Sequence, residues 1–267
     1  MATRSAIITV MTRAAIKASR GLKRDFGEVE NLQVSKKGPA DFVSTADLKA
    51  DQTLREELGN ARPEYGFLTE ESAETKGTDE DGRRWIVDPL DGTSNFLHGL
   101  PHFSISIALE ERSEIVAAVV YDPIKDEMFT AEKGAGAFLN DRRLRVSGRT
   151  SLDVALIGTG APFLGHGDRA MFAKEVEAVT AVTAGIRRWG SAALDLAYVA
   201  SGRFDGFWER ELSPWDIAAG ILLVREAGGQ VSAIKGNPFK FDGDGVLAAN
   251  VDLHPLLVKI LRSARDK

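Results

Sequence analysis

The sequence predicts a mixed α/β fold, with sheets and helices stacked in layers. Three observations predict it. Short apolar segments separated by turn residues run in series through the first half, a pattern of consecutive hairpins. The second half alternates strand-like and helix-like runs. Amphipathic helical patterns stand near both ends of the 267 residues, which is length enough for one large core or two intimate halves.

Taken in order, Ile7, Val10, Met11, Ala14 and Ala18 recur at three- and four-residue steps with Arg13, Lys17 and Arg20 between them, the spacing of a helix with one apolar face. Gly21 or Gly27 would stop it. The apolar run after Arg4 is interrupted too early to be a signal-peptide core, and no stretch has transmembrane length. Lys36 to Asp47 reads as a loop leading into a second helix that runs to about Leu58, with Ser44 three residues before Asp47 in capping-box spacing. Tyr65 to Leu68 reads as a short strand ending in Thr69-Glu70-Glu71-Ser72, and Asp79 to Gly82 as a polar loop. Phe103 to Leu109 alternates with period two. Ile115 to Tyr121, Glu127 to Thr130 and Phe138-Leu139 follow across turns at Asp122-Pro123 and Lys133 to Gly136, so an antiparallel meander is expected.

Near Val146 to Asp153 the pattern changes, dividing the chain into an αβ half over 1–147 and a second over 148–267 within one unit. The second half reads as a strand over Ala155 to Thr159, helices over Asp168 to Ala184 and Ser191 to Ser201, and a strand over Phe204 to Trp208. A helix then begins at Ser213-Pro214-Trp215-Asp216 and stops at Gly228-Gly229. Ser at the cap, Pro in the first helical position and Gly past the end carry that assignment. A strand through Val231 and a closing helix from His254 to Arg265 complete the chain.

The fold is organised around Trp85-Ile86-Val87-Asp88-Pro89-Leu90-Asp91-Gly92-Thr93-Ser94-Asn95. An apolar strand ends at one carboxylate, turns at a proline, places a second carboxylate three residues on, and meets Gly-Thr-Ser. Carboxylates and a turn carbonyl suit Mg²⁺ or Ca²⁺, which take oxygen ligands. If a helix starts at Gly92, the N–H groups of Gly92, Thr93 and Ser94 form an anion pocket. The same residues also describe an ordinary tight turn, and Asp47 and Asp216 also describe plain helix-capping acids.

Composition narrows the chemistry. With 43% apolar and 27% charged residues and a net charge of −5, the chain lacks the basic surplus of a nucleic-acid binder. An anionic substrate would need local compensation, which a divalent metal provides. Without cysteine there is no disulfide, thiolate zinc site or Cys nucleophile, and a cytoplasmic home is the natural expectation. His98 and His102 have the i, i+4 spacing of helical zinc sites, but Gly99 and Pro101 between them argue against a helix. Arg187-Arg188 reads equally as a solvated pair or as a contact to a dimer partner or a phosphate.

The segments Asp41 to Asp47, Glu70-Glu71-Ser72, Trp85 to Phe96, Trp215 to Gly220 and Glu226 to Gly229 together resemble the inositol monophosphatase family, of the lithium-sensitive, Mg²⁺-dependent phosphatase superfamily. The resemblance spans almost the whole chain. It implies the sugar-phosphatase fold, a layered αβαβα sandwich, working as a homodimer. It implies two to three Mg²⁺ ions: one on Glu70, Asp88 and the Leu90 carbonyl, a second on Asp88, Asp91 and Asp216, and a weaker third near Glu70. Asp47 and Thr93 resemble the pair that orients and deprotonates the attacking water. The phosphate would lie against Gly92, Thr93 and Ser94.

By the same resemblance the substrate's polyol ring meets Gly190, Ser191, Ala192 and Glu209, the small residues leaving room and Glu209 accepting from hydroxyls. Histidinol-phosphate phosphatases of the superfamily typically carry an acid after the glycine, so Ser191 favours the inositol ester. Thr69 stands where many members have glycine, and Ser94 where many have threonine. Ser213-Pro214 resembles bacterial members of broad substrate range. The activity implied is hydrolysis of myo-inositol monophosphate by a small-molecule phosphomonoesterase, with no membrane or nucleic-acid partner. The alternatives are the same chemistry on fructose 1,6-bisphosphate, histidinol phosphate or a nucleotide 3′-phosphate, or a regulatory binding protein that retains the fold.

Overall fold

A helix whose apolar residues share one face must bury that face, and in the computed structural model the first helix, α1 (Ala6–Phe26), does so with Ile8, Met11, Ala14, Ala15, Ala18 and Leu22. The structure describes residues 5–26, 28, 34–38 and 41–265. Arg4, Gly27, Pro39 and Ala40 of the segments read above lie outside the described residues. α1 continues through Gly21, whose place in the helix interior costs about 1 kcal/mol. β1 (Val34–Gly38) and β2 (Asp41–Ser44) then pair antiparallel, where a loop was expected. Lys-Lys-Gly-Pro has no apolar alternation to announce strands, and the ladder is a matter of backbone pairing.

α2 (Thr45–Ala61) packs on α1 through Ala46, Ala50, Leu54 and Leu58. β3 (Gly66–Thr69), β4 (Arg84–Asp91), the short α3 (Thr93–Leu97), β5 (Ser104–Glu111), β6 (Glu114–Asp122), β7 (Glu127–Glu132), β8 (Gly136–Leu139) and β9 (Arg142–Arg143) follow. β3 runs parallel to β4, and from β4 to β9 the seven-stranded sheet is the expected antiparallel meander. Side chains alternate between its faces. Trp85, Val87, Ile105, Ile107 and Val119 meet α1 and α2, while Ile86, Ala108, Ala118, Val120 and Phe129 face the other way.

The rest of the chain is β10 (Leu156–Thr159), α4 (Arg169–Thr180), β11 (Gly185–Arg187), α5 (Ala192–Ala200), β12 (Gly206–Glu209), α6 (Pro214–Glu226), β13 (Gln230–Ser232), β14 (Val246–Ala249) and α7 (Leu253–Arg265). A five-stranded sheet has the order β11-β10-β12-β14-β13. β11 and β14 were not foreseen. β11 is three residues long, too short for any period, and Val-Leu-Ala-Ala in β14 is buried throughout, so it shows no alternation.

α5 and α6 lie between the sheets. Their apolar residues form one core with Ile86, Val120 and Phe129 on one side and Phe207, Val246 and Ala248 on the other. Every residue of α5 is buried, as a helix in the middle layer requires. On the outer face of the second sheet, Ile157, Trp208, Leu247 and Ala249 pack against Val179 of α4 and Leu253, Leu257 and Leu261 of α7. The result is the five-layer αβαβα order. Among the described residues no helix is long and apolar enough to cross a membrane.

Candidate active site

The expected turn at Pro89 is instead a bulge within β4, which runs on to Asp91. Opposite β5, Asp88 pairs with Ser106 and Asp91 with Ser104, so three steps on one strand match two on the other. An unbulged strand would send residues three apart to opposite faces. The extra residue restores even spacing and turns both carboxylates the same way. Proline suits the bulge because it has no N–H to give the ladder. Asp88 Oδ1 accepts the Leu90 amide at 2.9 Å. Ser106 also donates to the Trp215 carbonyl at 3.2 Å, which holds the start of α6 against this part of the sheet.

β4 passes into α3 through Gly92, at φ 97°. A Cβ there would stand 3.1 Å from the His102 carbonyl and 3.2 Å from that of Gly190, so glycine is required by both conformation and space. No side chain caps the first N–H groups of α3.

Two helix starts supply the other acids. At α2, Asp47 Oδ2 accepts the Ser44 amide at 2.8 Å and its hydroxyl at 2.5 Å, leaving Oδ1 to accept the Thr93 hydroxyl at 2.9 Å. The Leu90 carbonyl is 3.0 Å from the same hydroxyl. At α6, Asp216 Oδ2 accepts the Ser213 amide at 2.7 Å within a second capping box. In both, one carboxylate oxygen caps the helix, as the capping reading expects, and at Asp47 the other accepts the Thr93 hydroxyl.

Glu70 follows β3, its amide bonded to the Val87 carbonyl at 3.2 Å, one residue before Asp88. It lines a cavity of about 360 Å³ with Asp216, Glu209, Thr159 and Trp215. Burial drives the Asp88 carboxyl well above the usual carboxylate range, and repulsion from Glu70, Asp91 and Asp216 adds to it. Burial raises Asp91 to about 6, opposed by hydrogen bonds from Ser191 and Ala193. Asp216 is likewise raised well above its ordinary value, by burial and then by Asp91. Asp47 is raised by burial against the pull of Ser44 and Thr93.

Buried acids in one another's field are costly unless a cation offsets them. Among the described residues none of Asp88, Asp91 and Asp216 has a Lys or Arg partner. This oxygen-only set fits a hard divalent cation such as Mg²⁺. It is not drawn up as a finished shell: among the described residues no three acids or histidines are grouped for one ion, and Asp91 Oδ2 and Asp216 Oδ2 are turned to protein donors.

At the start of α5, Ser191 is buried and its hydroxyl donates to Asp91 Oδ2 at 2.6 Å, where the Ala193 amide joins it at 2.8 Å. Ser191 thus aims Asp91 as well as starting α5. Gly190, at φ 82°, and Ala192 flank it. Glu209, at the end of β12, is raised to about 8 by burial and then by Asp91, with Arg188 pulling the other way. Its carboxylate lies directly over Gly160, where a side chain would collide with it.

Sequence reasoning assigned no role to Asn95 or Asp195. The Asn95 amide donates to the carbonyls of His102 at 2.8 Å and Trp189 at 2.7 Å, tying α3 to the loop before α5. The place of Asn95 at the end of the quoted motif was the only signal. Asp195 is buried within α5, and burial, with Glu209 and Asp91 nearby, pushes it well above its ordinary value. His98 and His102 form no pair: His98 Nδ1 meets the Ser94 carbonyl at 2.7 Å, and the His102 ring lies against Trp189 and Tyr198, burial lowering it to about 4.

Residues 3–266 match the model of the inositol monophosphatase family. The chain is similar to an inositol-1-monophosphatase of Rhizobium meliloti (strain 1021), 58% identical over 97% of each chain. Pseudomonas aeruginosa has a relative named Nus factor SuhB, 42% identical over 96% of each chain. The crystal structure of the extragenic suppressor protein suhB from Bartonella henselae superposes with a TM-score of 0.94 at 55% identity, covering 97% of this chain and 99% of that one.

Proposed function

The chain belongs to the inositol monophosphatase family, and on that premise we propose that it hydrolyses inositol 1-phosphate to inositol and phosphate with Mg²⁺. The observation that carries the reading is the oxygen-only set of buried Asp88 and Asp91 with half-buried Asp216 and Glu70 beside them, next to the Thr93–Asp47 hydrogen bond. Glu70, Asp88 and the Leu90 carbonyl would hold one ion, Asp88, Asp91 and Asp216 a second, and Glu70 would help place a third. The chemistry such ions supply when bound is charge neutralisation on the phosphoryl oxygens and acidification of water.

The chain's own residues account for the proton. Thr93 has a single hydroxyl hydrogen, with Asp47 Oδ1 and the Leu90 carbonyl as acceptors. When it points to Asp47, the Thr93 oxygen is left to accept from water. As that water attacks phosphorus, its proton passes to Thr93 and the Thr93 proton to Asp47. The P–O ester bond breaks opposite, and the inositol oxygen takes a proton from solvent. Ser44 keeps Asp47 aimed through its other oxygen, and Gly92, Thr93 and Ser94 lie beside the phosphate. Gly190, Ser191, Ala192 and Glu209 border the ring, where Glu209 selects for hydroxyls.

Phosphate release from inositol 1-phosphate, fructose 1,6-bisphosphate, histidinol phosphate and a nucleotide 3′-phosphate, each with Mg²⁺ and with EDTA, tests the proposal. Mg²⁺-dependent turnover fastest on the inositol ester is expected; faster turnover of another ester would replace the substrate, and none on any would sink the reading. We further infer two αβ halves over 1–147 and 148–267 and a homodimer. The dimer is supported by exposed Leu100, Ile124 and Trp189, and light scattering checks it. The Nus factor name of the Pseudomonas relative motivates a second reading, a partner-binding role beside catalysis, tested by a native pull-down.

A further inference from the structure

We propose that Asp51 is a positioning residue for the reaction: through Ser72 it locks the turn that carries Glu70 to the helix that carries Asp47. The inference rests on the proposed function, in which Glu70 holds a cation and Asp47 receives the proton.

Asp51 stands one helical turn after Asp47 on α2 and is buried. Its Oδ2 accepts the Ser72 hydroxyl at 2.5 Å across 21 residues of chain. The turn is also closed on itself, because Thr69 Oγ1 accepts the Ser72 amide at 3.2 Å. Thr69 therefore shapes the Glu70 turn with its side chain. The other side of the turn is pinned by the bond from the Glu70 amide to the Val87 carbonyl. Glu70 is thus held between β4, which bears Asp88, and α2, which bears Asp47. Severing the Ser72 bond removes its tie to α2.

Packing alone does not account for an acid here. Asp51 Oδ1 is buried with no hydrogen-bond partner among the described residues, and Ala50 and Leu54 beside it on α2 are apolar core. An apolar residue would fill this position without the cost of desolvating a carboxylate. What an apolar residue lacks is an acceptor for Ser72. Partners that orient metal-holding groups typically change metal affinity about 10- to 100-fold when removed.

The test uses the full chain with Ser72→Ala, Asp51→Ala, the double variant and Asp51→Asn, which keeps an acceptor. Mn²⁺ binding without substrate is followed by calorimetry, with the Mg²⁺ concentration for half-maximal turnover and the melting temperature alongside. Ser72→Ala and Asp51→Ala should each weaken Mn²⁺ binding about 10-fold and raise the Mg²⁺ requirement in parallel. Turnover at saturating Mg²⁺ should change far less. The double variant should be no weaker than the worse single, and Asp51→Asn should recover most of the loss. Wild-type Mn²⁺ affinity in both single variants, with or without a lower melting temperature, would overturn the proposal, as would a double variant whose losses multiply. Because Ser72 is only half-buried, Ser72→Ala keeps the test open if Asp51→Ala fails to fold. A wild-type protein that binds Mn²⁺ but hydrolyses no ester would sink the proposed function and leave the binding arm to judge Asp51.

Discussion

Replacing Gly160 by alanine separates substrate selection from the phosphate chemistry. Gly160 follows β10 outside the left-handed backbone region, so its conformation accepts alanine, but the new Cβ would fall well inside contact distance of both Glu209 carboxylate oxygens. Carbon and oxygen need roughly 3.5 Å, so the carboxylate must withdraw by on the order of 2 Å. That is enough to lose a hydrogen bond from a ring hydroxyl. With its carboxyl raised to about 8, Glu209 is largely protonated at neutral pH, and a neutral hydrogen bond contributes roughly 0.5–1.5 kcal/mol, so kcat/KM on inositol 1-phosphate should fall about 2- to 10-fold. Stability should hold, since Gly→Ala at a compatible backbone gains about 0.4–1 kcal/mol through the unfolded chain. The assay compares kcat/KM on inositol 1-phosphate with that on 4-nitrophenyl phosphate, which offers no ring hydroxyl. Loss confined to the inositol ester supports the argument. Equal loss on both esters, or none, refutes the placing of Glu209.

Three other outcomes are expected. Asp91→Asn should lower turnover by on the order of 10³-fold or more, because metal-held charge stabilisation is worth several kcal/mol, while its metal-free melting temperature stays at or above wild type; full activity would remove Asp91 from the mechanism. Asp91 and Glu209 have folded-state pKa values raised to about 6 and about 8 from 3.8 and 4.5, so between those limits the folded state binds more protons than the unfolded one and stability falls as pH rises. The melting temperature in EDTA should therefore drop from pH 5 to pH 8, and Mg²⁺ should raise it more at pH 8; a flat or rising metal-free profile would contradict the electrostatics. Asn95→Ala, which removes the bonds to His102 and Trp189, should cost roughly 2 kcal/mol, lower the melting temperature by about 4–8 °C and raise KM; an unchanged KM would mean the α3 tie is structural only.

Much of this was legible because its causes are local. Ser44 with Asp47, and Ser213-Pro214 with Asp216, announce helix starts within four residues, and period-two alternation from Phe103 onward announces the meander. What was hidden depends on pairing across distance. The bulge at Pro89-Leu90 is defined only against β5. Ser191 reads as a helix cap, and nothing nearby says that its hydroxyl reaches Asp91, 100 residues earlier. Asp51 and Ser72 are each ordinary alone. β14 was missed because burial on both faces erases the alternation by which β5 is recognised.

The double use of Asp47 and Asp216 bears on how descendants of such a chain would drift. Each acid starts a helix and, on the proposed mechanism, serves the reaction, so a lineage that abandoned catalysis would still be selected to keep Asp, or to exchange it for Asn or Ser, which cap comparably. Asp91 also accepts from the start of α5, but Asp88 has no such employment at a helix start, and its crowding is a burden on the fold. Relaxed selection would erode Asp88 first. A relative that keeps the two capping acids but has lost Asp88 should be read as a retired enzyme, and one that keeps all four as a working one.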